Sequence, residues 1–144
     1  MFHEYIAQVS EVIEAPADKV WEALVTPDII KKYFFDTNAQ SEWKVGSPIT
    51  FSGEWDGNIY KDKGTILNIE PGALLKYNYW SSMSGMDDTP DNYVDITNEI
   101  REHDGKTMIT VSQDNIPTEK LKRHAIENWT KVLKNLKELL ENEN

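Results

Sequence analysis

The chain contains no cysteine, which excludes disulfides, thiolate zinc sites and cysteine nucleophiles. Basic residues are in the minority: 15 Lys and Arg stand against 25 Asp and Glu, a formal charge of −10. Such a surface repels a phosphate backbone and anionic lipid alike, so nucleic acid is not an expected partner. No apolar run approaches the roughly 20 residues of a membrane-spanning helix, and no basic stretch followed by an apolar one opens the chain. No membrane insertion is expected, and the chain reads as soluble and cytoplasmic. Metal-binding spacings such as His-x-x-x-His, calcium loops, Gly-x-Ser-x-Gly and phosphate-cradling glycine loops are all missing. The histidines, His3, His103 and His124, fall at a terminus, a hairpin end and a helix. Neither a metal nor a cofactor is expected, and no catalytic residue is assigned.

What is there is 144 residues, 39% of them hydrophobic, enough for one domain spanning 1–144 with a core of its own. Phe2 to Glu14 is rich in β-branched and aromatic residues and reads as a strand. After Pro16 the spacing turns helical from Ala17 to Val25, with Val20 and Leu24 on one face. Thr26-Pro27-Asp28 repeats a helix start, because proline lacks only an N–H that the first turn leaves unpaired anyway. A second short helix is predicted over 27–33.

From 41 to 115 the pattern is β throughout. Ile49, Phe51 and Trp55 share one parity; so do Leu75, Tyr77 and Tyr79; so do Val94, Ile96 and Ile100. Asp56-Gly57 and Asp104-Gly105 are hairpin turns, since these residues tolerate positive φ. The polar stretch 81–91, with Asp87, Asp88 and Asp91, reads as a hydrated loop. Beyond Pro117, with Thr118 as N-cap, Leu121, Ala125, Trp129, Val132, Leu136 and Leu139-Leu140 mark one stripe of a helix of about 20 residues, roughly 30 Å long. Lys131, Lys134 and Lys137 lie off the stripe and are expected in solvent, and 141–144 are expected to fray.

The fold class is therefore α+β: a curved antiparallel sheet wrapped around a long C-terminal helix, with two short helices after the first strand. One rod fills a wide concave sheet poorly, so a pocket is expected between them. Parity assigns Phe51, Trp55, Leu75, Tyr77, Tyr79, Val94, Ile96, Asn98, Ile109, Val111 and Gln113 to its wall, and the helix adds Ala125 and Trp129. Apolar walls with a few fixed polar groups suit a small molecule. Ordinary core packing is the competing account of each of these residues. A bulge near Gly53 or Gly64 would invert the parity locally.

The run Val12-Ile13-Glu14-Ala15-Pro16-Ala17-Asp18-Lys19-Val20-Trp21-Glu22-Ala23-Leu24 resembles the opening of the START-like, or SRPBCC, superfamily. Val45-Gly46-Ser47-Pro48-Ile49-Thr50-Phe51 and Gly64-Thr65-Ile66-Leu67-Asn68-Ile69-Glu70-Pro71 are similar to the mid-chain signature of its branch called activator of heat-shock protein 90 ATPase homologue-like. The stretch from Asn128 to Lys137 is similar to that branch's final helix. The resemblance implies a helix-grip fold around a deep hydrophobic cavity, in a superfamily that binds lipids, sterols, polyketides and plant hormones. Two positions depart from the pattern: Ser47 follows Gly46 where a second glycine is usual, and Gln113 stands where a histidine often does.

Three functions follow as expectations. The first is a binding module whose partner is a small apolar or aromatic molecule. The second, from the branch name, is contact with a chaperone, and contact with a second copy of the chain stays open beside it. The third is a cyclase- or hydrolase-type enzyme using the cavity as a reaction chamber, with Asn98 and Gln113 positioning the substrate.

Overall fold

A computed structural model describes residues 4–82 and 84–142, with the Trp55 side chain excepted. Strand β1 (Tyr5–Ile13) leads into two short helices, α1 (Ala17–Val25) and α2 (Pro27–Tyr33). Six further strands follow: β2 (Asn38–Ser41), β3 (Pro48–Trp55), β4 (Asn58–Glu70), β5 (Leu74–Tyr79), β6 (Val94–His103) and β7 (Lys106–Ile116). Helix α3 (Glu119–Asn142) closes the chain. The seven strands form one antiparallel sheet in the order β1-β7-β6-β5-β4-β3-β2. The predicted α+β architecture, with its two helices after the first strand, is the one observed.

The hairpins β3–β4 and β6–β7 turn where predicted. Asp56 and Gly57 have φ of 51° and 79°, and Asp104 and Gly105 of 54° and 79°. Two consecutive positive φ values match the right-handed twist of the flanking strands.

Curvature comes from the middle of the sheet. At Gly64 an added Cβ would lie 1.7 Å from the Asn78 carbonyl oxygen, so only glycine lets β4 press this close to β5. Here the Asn78 side chain replaces a ladder bond, accepting from the Thr65 N–H at 2.7 Å. The bulge itself falls two residues on, between Ile66 and Asn68. β3 and β4 pair without a shift past both Gly53 and Gly64, so the parity of β3 holds along its length.

The concave face carries the core. Ile13, Val20, Ile49, Ile66, Ile109, Val111 and Leu136 are among its fully enclosed side chains. Thr118 Oγ1 caps α3 by accepting from the Leu121 N–H at 3.1 Å. The C-terminal half of α3 is anchored: Lys137 donates to the Val12 carbonyl at 2.8 Å, and the Glu14 N–H donates to Glu141 at 2.9 Å. Two expectations are corrected here. Lys137 is bound to β1 rather than free in solvent. Glu141 and Asn142 belong to the helix because Glu141 ties it to the β1–α1 corner, while 143–144 lie outside the described residues. The strand β2 precedes the expected start of the β region at 41. The prediction that a first strand begins at Phe2 reaches outside the described residues.

Candidate functional site

Helix α3 crosses a filled interior at one end and a hollow at the other. At the filled end Leu133 and Leu136 meet Leu24, Ile30 and Tyr33, around a void of about 30 Å³. That is room for about one water. The α2 helix closes this end, with the Tyr33 hydroxyl donating to the Ala23 carbonyl at 2.8 Å.

Toward its N-terminus α3 spans a cavity of about 610 Å³. Such a volume falls within the range that takes a drug-sized molecule. Between void and cavity stands a floor of rings. Phe34 stacks on Phe51 at 6.1 Å between centroids and meets Trp129 edge-on at 5.6 Å. Phe51 lies 5.7 Å from both Tyr77 and Tyr79. Phe34, Phe51, Tyr77, Trp129 and Val132 each border both spaces. The mouth is rimmed by exposed α3 residues Leu121, His124, Asn128 and Lys131, with Phe35 after α2 and Ser84 and Met86 from the loop after β5.

Of the residues that parity assigned to the pocket, Phe51, Tyr77, Tyr79, Val94, Ile96, Gln113, Ala125 and Trp129 line this cavity. Leu75 and Asn98 border the small void instead, and the Asn98 amide donates to the Leu75 carbonyl at 3.2 Å. Asn98 is thus a strand-bracing group, not one aimed at the cavity. Ile109 and Val111 are enclosed in packed core and line neither space. The correction has one cause: parity tells which face a residue takes, but not whether α3 lies pressed against that stretch of sheet or stands off it. The Trp55 side chain lies outside the described residues.

Polar groups gather at two places. The Trp129 indole N–H donates to Gln113 Oε1 at 2.8 Å, tying the ring from α3 to the β7 wall. Opposite, β4 supplies Tyr60 and Asp62, neither of which the sequence reading assigned to the pocket. The Tyr60 hydroxyl lies 2.6 Å from Thr37 Oγ1, and Tyr60 sits over Gly53, where a Cβ would come within 2.7 Å of the hydroxyl oxygen and 2.9 Å of the ring. Asp62, 6% exposed, accepts a short hydrogen bond from the Tyr79 hydroxyl and a 2.9 Å bond from the Ser82 N–H. Burial raises the Tyr77 phenol, and burial together with the Asp62 charge raises that of Tyr79; both stay protonated at neutral pH. Lys61-Asp62-Lys63 reads as a solvated charge run, and only its pairing with β3, which sets Asp62 opposite Phe51, turns the carboxylate inward.

The loop after β5 is pinned rather than merely hydrated. Asp88 binds Lys63 at 2.5 Å and the Tyr93 hydroxyl at 2.6 Å, and Lys63 first, then Tyr93, hold its carboxyl below the usual range. Trp80 donates its indole N–H to the Met86 carbonyl at 3.2 Å. These bonds set the rim at Ser84 and Met86. Among the described residues no cluster of three His, Asp or Glu is arranged to hold a metal ion.

A solved structure of the Cytophaga hutchinsonii protein ChR145 is 45% identical, with a TM-score of 0.85 over 99% of this chain and 98% of that one. The Aha1 dimer from Colwellia psychrerythraea shares the fold at 18% identity, TM-score 0.76, covering 95% of this chain and 96% of its own. DynU16, a putative protein in the dynemicin biosynthetic locus, is 17% identical with a TM-score of 0.80, over 96% of this chain and 48% of that chain. Curated proteins offer no match. The match that places the chain is at the level of the family: residues 14–141 fit the description Activator of Hsp90 ATPase homolog 1-like protein, and the chain belongs to that family, with the helix-grip fold its sequence resemblance implied.

Proposed function

We propose that the chain acts as a single START-like domain that holds a small, largely apolar, ring-bearing molecule between the sheet and the N-terminal half of α3. The observation that carries this reading is the 610 Å³ cavity with its ring floor. A core under selection for stability alone closes such space, because unfilled apolar volume costs roughly 24 cal/mol per Å³. Phe51, Tyr77, Tyr79, Ile96, Ala125 and Trp129 form the apolar seat, with Gln113 as an orienting acceptor already engaged by Trp129. The guest enters past Leu121 and His124. The carrier is placed in the cytoplasm as part of this proposal; among the described residues no helix is long and apolar enough to cross a membrane.

The test is a titration with naphthalene followed by ¹H–¹⁵N NMR. Shifts clustered at Ile96, Ala125 and the Trp129 indole N–H support the reading. An unmoved spectrum, or shifts confined to exposed Ile59 and Leu67, refutes it. The family's name favours a second reading, contact with a chaperone ATPase, for which full-length chain is added to the purified chaperone and its turnover measured. Unchanged turnover ends that reading.

A further inference from the structure

Among the described residues that line the cavity, Asp62 is a buried formal charge with hydrogen bonds but no ionic partner. It lies on the concave face of β4, 6% exposed. Its three hydrogen-bond partners among the described residues are neutral donors: the Tyr79 hydroxyl on Oδ2, and the Ser82 N–H and hydroxyl on Oδ1 at 2.9 and 3.3 Å. Among the described residues no lysine or arginine forms an ion pair with it. Its sequence neighbours Lys61 and Lys63 are exposed on the opposite face, and Lys63 is committed to Asp88. The other formal charge on the wall, Lys131, is an exposed residue of α3.

A buried carboxylate normally has a cationic partner, because neutral hydrogen bonds offset only part of its lost hydration. An asparagine would accept the Tyr79 proton equally well. A carboxylate offers about four acceptor positions, and three donors leave one, on a residue that borders the cavity. Beside it stand Phe51, its register partner on β3, and Tyr79, its hydroxyl donor, with Tyr77 5.7 Å from Phe51; aromatic rings of this kind attract a cation electrostatically. The overall charge of −10 favours the approach of a cation over that of an anion.

We infer that the guest of this cavity is an organic cation, an apolar ring-containing body bearing a protonated amine that seats on the Asp62 carboxylate. The inference rests on the reading of the cavity as a binding site and names the class of molecule it takes. It also gives the carboxylate–ring corner a role that packing alone leaves without a reason: the amine completes the charge pair that Asp62 lacks, while the ring floor takes the body.

Calorimetric titration of the full chain with three congeners of one naphthalene body separates the outcomes: 1-naphthylmethylamine, protonated at pH 7, 1-naphthylmethanol, neutral, and 1-naphthylacetate, anionic. The amine is expected to bind about tenfold tighter than the alcohol, as for a hydrogen bond to a charged group, with the acetate weakest. That preference persists in 0.5 M salt, since a buried pair is screened far less than surface steering. Asp62→Asn, which keeps an acceptor for Tyr79, brings the amine down to the level of the alcohol. Equal binding of amine and alcohol, a preference abolished by salt, or a preference that survives Asp62→Asn overturns the inference and leaves the apolar reading standing. Binding by none of the three overturns both. Should the variant fail to fold, the wild-type comparison in low and high salt decides alone.

Discussion

Two substitutions on one helix, of opposite size, test whether α3 is packed at one end and unsupported at the other. Leu136 is fully buried and borders the 30 Å³ void, so its neighbours have almost no slack. Leu136→Ala removes a packed side chain and leaves a cavity, which costs about 3 kcal/mol. For a chain of this size that corresponds to a fall in Tm of about 6–12 °C. Ala125 is also buried, but it faces the 610 Å³ cavity. A larger side chain in a filled core costs about 1–3 kcal/mol. At residue 125 the added methylenes enter open apolar space, where each buried one gains up to about 0.8 kcal/mol. Ala125→Leu is therefore expected within about 1 kcal/mol of wild type in either direction. Urea unfolding with unchanged m-values measures both. If Ala125→Leu destabilises the protein as much as Leu136→Ala does, the space beside Ala125 is filled in solution and the reasoning fails.

Other expectations follow from single contacts. Gly64→Ala forces a Cβ onto the Asn78 carbonyl; backbone cannot yield as a side chain can, and a loss above about 3 kcal/mol is expected, so a thermal melt close to wild type contradicts the account of sheet curvature. Tyr79→Phe takes one donor from Asp62 and should cost about 1–3 kcal/mol by urea unfolding, with no change contradicting a real bond. Asp95 is held above the usual carboxylate range by burial and then by Asp114, against the pull of Lys76. Its ionisation therefore opposes folding, a penalty absent below the unfolded-state pKa and complete above the folded-state one. Asp95→Asn should be more stable than wild type at pH 7 and equal to it at pH 3; the same difference at both pH values refutes the assignment.

The sequence exposed the frame of this site more readily than its contents. Alternation in β3, β5, β6 and β7 was legible because each strand has one buried and one wet face, and the stripe on α3 because a 3.6-residue period is hard to mistake. Asp62 was illegible, since a carboxylate between two lysines carries no apolar signal. Its direction comes from a pairing between strands. β2 escaped notice because only Ala39 of its four residues is buried, and the other three are polar. Phe34 and Phe35 follow a seven-residue helix that predicts nothing about the cavity, yet Phe34 completes its floor. Ile109 and Val111 were read correctly as inward-facing but misplaced along the sheet, as local periodicity holds no information on where a distant helix lifts away.

Crystals pressurised with xenon address the hollow most directly, because an open apolar cavity admits the gas and a packed core does not. The account predicts an anomalous peak above the ring floor, between Ile96 on β6 and Ala125 and Trp129 on α3. Crystals showing no xenon there, with that space occupied by the protein's own side chains, contradict it.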